Sequence, residues 1–93
     1  VDLSLPQTFS LSQNFPNPFN PSTVISFQLP VSSAVLLKVY DVLGDEVVTV
    51  VDEYKPAGIY NEQFTMNNLS SGIYFYQLKA GDYLETKKMI LMK

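Results

Sequence analysis

Through most of the chain after residue 22, apolar side chains recur with a period of two. No window of ten or more residues shows the 3.6-residue period of a helix. Residues 23–29 place Ile25, Phe27 and Leu29 on one face and Ser26 and Gln28 on the other, until Pro30 ends the run. Val35, Leu37 and Val39 alternate with Leu36, Lys38 and Tyr40 in a second strand. Asp41-Val42-Leu43-Gly44-Asp45 is a turn, because Asp bonds its own backbone and Gly accepts a positive φ. Residues 46–51 are a β-branched run, the third strand. Pro56-Ala57-Gly58 turns the chain into a fourth, residues 59–65. There Tyr60, Glu62 and Phe64 share a face, so either Glu62 sits at the edge of the core or a bulge shifts the register. A connection rich in Asn and Ser leads to residues 73–80, heavy in aromatics. Gly81-Asp82 forms a tight hairpin into a last strand, residues 83–92. Residues 8–13 add a possible seventh strand. Turn signals every ~8–12 residues in a chain of this length predict an all-β, antiparallel sandwich without an α-helix.

The lead differs from the rest. Four of the six prolines, Pro6, Pro16, Pro18 and Pro21, fall in the first 21 residues, which favours extended, irregular backbone. Phe9, Leu11, Phe15 and Phe19 are spaced along it as anchors onto the domain. Further on, Leu69-Ser70-Ser71-Gly72-Ile73-Tyr74 has the layout of a tyrosine corner. The Tyr74 hydroxyl would bond backbone upstream and hold a connection between the two sheets, with Gly72 leaving room for the approach.

Composition closes off many chemistries. The chain of 93 residues has no Cys and no His, which removes thiol nucleophiles, disulfides, the usual zinc sites and His-based triads. It also has no Trp and no Arg. A net charge of -3 argues against nucleic acid. At 46% hydrophobic and 16% charged it is too apolar to be disordered, yet its apolar runs are too short to span a membrane. The first residues carry no basic stretch followed by an apolar one, so no signal peptide is read there. The start at Val1 reads as an excised piece of something longer. Without His or Cys, a Ser nucleophile would need a Lys or carboxylate base, and no such pair can be located. Asp41, Asp45, Glu46, Asp52 and Glu53 gather five of the nine acids, but a small sandwich offers them no sugar cleft and their spacing is not that of an EF-hand. We expect no catalytic residue, no cofactor and no metal. Asn68-Leu69-Ser70 fits the glycosylation pattern, although Leu69 is better explained by the corner. An acidic chain ends in a basic strand, with Lys87, Lys88 and Lys93 around Met89-Ile90-Leu91-Met92. These lysines read either as edge protection or as a handle for a partner.

Taken in order, the motifs resemble one family. They are Asn14-Phe15-Pro16-Asn17-Pro18-Phe19-Asn20-Pro21-Ser22-Thr23, Val39-Tyr40-Asp41-Val42-Leu43-Gly44, Pro56-Ala57-Gly58, Leu69 to Tyr76, and Lys87-Lys88-Met89-Ile90-Leu91. The set looks like the type A C-terminal sorting domain of the type IX (Por) secretion system. The wider similarity is to the immunoglobulin-like domain of the flagellar hook-cap protein. The resemblance implies a seven-stranded Ig-like sandwich with Greek-key connections over residues 13–93, preceded by a linker or lead in residues 1–12. It implies a non-catalytic signal that directs an N-terminal passenger from the periplasm across the outer membrane to the cell surface or beyond. A sortase-like surface protease would then remove the domain, upstream of about Gln13. Carried over residue by residue, recognition falls on Lys87, Lys88, Met89, Ile90 and Leu91. The structural motif falls on Pro16, Asn17, Pro18, Phe19, Tyr40, Asp41, Gly44, Gly58, Leu69, Gly72 and Tyr74. Asp45 departs from the family, which often has a basic residue there. A receptor could add a strand to the exposed last strand. The alternative is a structural or carbohydrate-binding module, with Tyr54, Tyr60, Tyr76 and Tyr83 as its aromatics. That module would continue past Lys93, whereas the ending reads as a natural stop.

Overall fold

The computed structural model describes residues 6–93, so residues 1–5 of the expected lead lie outside it. Seven strands form two sheets, and no helix occurs among the described residues. They are β1 (Ser10–Leu11), β2 (Ser22–Leu29), β3 (Ser33–Tyr40), β4 (Glu46–Lys55), β5 (Gly58–Thr65), β6 (Gly72–Ala80) and β7 (Tyr83–Leu91). One sheet runs β1-β2-β5 and the other β4-β3-β6-β7, with every strand pair antiparallel. Hairpins join β3 to β4 and β6 to β7, while the chain crosses between sheets after β2, β4 and β5. That is the Greek-key order of an Ig-like sandwich.

The period-two pattern becomes the core. In β2, Thr23, Ile25, Phe27 and Leu29 are buried and their neighbours half-buried. Leu37 faces Leu78, Val39 faces Tyr76 and Tyr74 faces Met89 across β3, β6 and β7. All six of these side chains are buried.

Three expectations are resolved here. The seventh strand is real but only two residues long, bonded to Phe27 and Gln28. The third expected strand continues four residues past Val51 as an edge strand, where Asp52 and Glu53 pair with Leu36 and Val35. A charged stretch is tolerated at an edge because solvent reaches it. Glu62 sits on the half-buried face of β5, an edge strand, and the β2–β5 register is unbroken from Ser22–Thr65 to Leu29–Gly58. No bulge is needed there. The register shifts fall between β3 and β4 instead, at Leu37/Lys38 and Val39/Tyr40.

Candidate recognition site

The proline-rich lead does more than lie on the sandwich. It leaves the first sheet and bonds to the second. Ser12 donates its N–H to Ser26 O, and Phe15 exchanges backbone bonds with Val24, all on the β2 side. Four residues later Phe19 bridges Leu91 in parallel: Phe19 N donates to Ile90 O (3.0 Å) and Met92 N to Phe19 O (2.9 Å). Side chains extend the seam. Ile90 N donates to Asn17 Oδ1 at 3.0 Å, and Gln13 Nε2 to Lys88 O at 2.7 Å. The Pro-Asn-Pro-Phe stretch is therefore a strap that closes half of the outer edge of β7. Pro16 and Pro18 follow cis peptide bonds in it, and Pro21 follows another just after it.

Two buried polar residues hold the strap in place. Asn14 donates through Nδ2 to Thr23 Oγ1 (3.0 Å) and to Pro16 O (3.2 Å). Tyr76 lies at the centre of the core, accepts from Asn14 N (2.9 Å) and donates to Ser12 O (2.7 Å). Every buried side-chain polar atom among the described residues is satisfied. Burial pushes the Tyr76 phenol up to about 12. A raised folded-state value means this phenol's contribution is complete below about pH 10 and is lost as pH rises toward 12. Tyr83, pushed up to about 12 by burial and then by its bond to Glu85, adds to the same alkaline limb. We predict that Tyr76→Phe weakens that limb in a stability–pH series. At neutral pH the variant loses about 1–3 kcal/mol, since the buried Asn14 N–H is orphaned while the exposed Ser12 can turn to water.

The lead anchors divide. Leu11 and Phe19 are buried and Phe9 stacks on Tyr83 at 5.2 Å, but Phe15 is 78% exposed and anchors nothing. Its backbone carries the pairing with Val24, which leaves the ring in solvent.

The glycine-turn motifs are structural. Asp41 Oδ1 accepts from Leu43 N (2.9 Å) and Asp45 N (3.0 Å), and Gly44 takes φ +87° to close the turn. The tyrosine corner forms as expected, with Tyr74 OH donating to Ser70 O at 2.7 Å across the β5–β6 crossover. Leu69 packs against the core beside it. Gly72 does not leave room for the approach, since a Cβ there would meet open space. Its φ of +155° is the constraint. Gly58 opens β5 opposite Leu29. Among the described residues no group of three or more acids is close enough to hold a metal ion, so the Asp41–Glu53 acids do not converge.

The expected recognition set is split by the pleat. Met89 and Leu91 are core residues. Lys87 points the same way at the rim and pairs with Glu85 (3.3 Å), whose carboxyl is held below its usual range by Tyr83 first and Lys87 second. Lys88 and Ile90 face outward. Lys93 is tied back, donating through N to Ser71 Oγ and through Nζ to Asn67 O. The aromatics suggested for a carbohydrate platform do not share a face. Tyr76 is in the core, Tyr60 stacks on Phe27 at 5.4 Å, and Tyr83 lies under Phe9 in a cleft that the exposed Tyr54 also lines. Sequence reasoning missed Asn14 and Thr23 as strap anchors, and their only signal was two polar residues flanking the proline run.

This is a Greek-key sandwich module whose N-terminal strap and C-terminal strand are bonded edge to edge. The chain belongs to the secretion system C-terminal sorting domain family, whose model matches residues 13–92. No curated protein and no solved structure matches the chain. Membership makes the domain a C-terminal sorting signal of type IX secretion, and disfavours the structural or carbohydrate-binding module. It implies work with the type IX machinery, a passenger on the N-terminal side, and export to the cell surface or the extracellular space. The family is a secretion-signal family and not a catalytic one. No helix among the described residues is long and apolar enough to cross a membrane.

Proposed function

We propose that this chain catalyses nothing and serves as a removable address. The passenger crosses the periplasm, the sandwich of residues 13–93 directs it through the outer membrane, and a sortase-like surface protease cuts in the lead of residues 1–12. Kinship with the hook-cap protein's Ig-like domain belongs to the same proposal, and the strand order supports it. The observation that carries the reading is that the family match runs from the strap to the last strand, the two segments bonded to each other. Within the signal set, Lys88 and Ile90 are the residues a partner can touch. Met89 and Leu91 act by holding β7 in place, and Lys87 guards the edge.

Mass spectrometry of an exported fusion tests the cleavage step. A reporter joined to Val1 should be recovered outside a type IX host with a new C-terminus at or before about Gln13. Recovery of the intact fusion would contradict it.

A further inference from the structure

The free edge of β7 is the obvious place for a partner strand, and both of its halves are protected. The strap occupies the backbone of Lys88 O, Ile90 and Met92 N. The half nearer the hairpin, around Leu84 and Thr86, has no strand beside it among the described residues. That half instead carries the inward-pointing Glu85–Lys87 pair, and inward charges on an edge strand oppose pairing with another chain.

The solvent face of the four-stranded sheet is built differently. Tyr40 pairs with Phe75, and Phe75 pairs with Lys88, so residues from three separate motifs form one row across β3, β6 and β7. The residues that alternate with them, Val39, Tyr74, Tyr76 and Met89, are buried, which puts the row on the outside. Ile73 and Ile90 face each other one row further along. At Ile73 the row meets a cleft of about 350 Å³ lined also by Val42, Leu43 and Leu69. On β6 and β7 the ionisable residues of this face are Lys79 and Lys88, with no acid between them. Neither is in an ion pair among the described residues, whereas Glu46 beside Tyr40 is already neutralised by Lys38 at 2.8 Å. Asp52, opposite Leu36 on β4, shares a cleft with Lys79 on the same sheet face, so the cationic and aromatic part of the face is the side around Phe75 and Lys88. The opposite sheet offers Ser22–Thr65 and Ser26–Asn61, short polar side chains bonded to each other.

We propose that the face of β6–β7 around Phe75 and Lys88 is the docking surface for a protein of the sorting machinery. That protein presents an apolar side chain flanked by carboxylates. The inference rests on the sorting function and names its contact surface. An aromatic row beside a cleft suits an anchor residue at the centre of a protein interface. Two dispersed lysines fall short of the clusters of four or more that read an anionic membrane.

The test uses the full chain fused to the C-terminus of a periplasmic reporter in a type IX host. Lys88→Glu and Ile73→Asp change this face, and Ile59→Asp makes the same chemical change on the other sheet, where Ile59 is 64% exposed. All three variants should melt near the parent temperature. The first two should export at least about tenfold less, the difference that roughly one strong contact supplies, and the third should stay within about twofold. Parent-level export of folded Lys88→Glu and Ile73→Asp would overturn the proposal, as would an equal loss in Ile59→Asp. Lys88-dependent binding of the chain to phosphatidylglycerol vesicles would overturn the choice of a protein partner. If the parent fusion is not exported, the sorting function fails and this surface falls with it.

Discussion

A chain ending at Thr86 should fail to fold, and its failure to be exported would then say little about recognition. The deletion removes Met89 and Leu91, both in the core, at about 2–5 kcal/mol each for comparable truncations. It also leaves Phe19 N and O without Ile90 O and Met92 N, so the strap loses its seat. A domain of this length has a total stability of about 5–14 kcal/mol. The side-chain losses alone are of that order, before any strand hydrogen bond is counted. Circular dichroism of the truncated chain should show no cooperative melt at 25 °C or above. A melt within a few degrees of the parent would contradict this account of β7. The consequence for function is practical: point changes at Lys88 and Ile90, which face solvent, separate recognition from folding, and deletions do not.

Phe19→Ala should be the most damaging single change in the lead. Phe19 is 2% exposed, and its ring lies 6.4 Å from Phe64 on the opposite sheet. Its backbone is the strap's bridge to β7. Emptying a buried Phe site costs about 3–5 kcal/mol. At about 4–8 °C per kcal/mol for a domain of this size, the melting midpoint should fall by at least ~12 °C. Phe15→Ala, four residues earlier, is expected to stay within about 0.5 kcal/mol, because the exposed ring leaves no cavity. Differential scanning calorimetry of the pair reads both values. Similar shifts for the two variants would contradict the separation of a structural Phe from a free one.

That pair also marks how far the sequence could be read. Alternation identified β2 and β3, because burial on one face of a sheet leaves a period of two, while the aromatic run and the Gly81-Asp82 turn marked β6 and β7. The tyrosine corner was legible, since Leu, Gly and Tyr at fixed offsets answer to one local geometry. The end of β4 was not, because an edge strand needs no apolar face and Asp52 to Lys55 carry no alternation. Phe15 and Phe19 look alike in the chain and differ because the strap changes sheets between them. Nothing local encodes that switch. The same holds for Asn14 and Tyr76, 62 residues apart, whose bond exists only once the sandwich closes. The lysine pair illustrates the pleat: sequence presents Lys87 and Lys88 as one basic handle, and the strand sends them to opposite sides. The row of Tyr40, Phe75 and Lys88 depends on the register of three strands, which no single motif specifies.

The central claim is that these 93 residues are a sufficient sorting address. The most direct measurement is the fraction of a neutral periplasmic reporter found outside the cell when the chain is fused to its C-terminus. It should be made in a host with the type IX machinery and in the same host lacking it. The account predicts export in the first and periplasmic retention in the second. Retention of a folded fusion in both, or export in both, would contradict it.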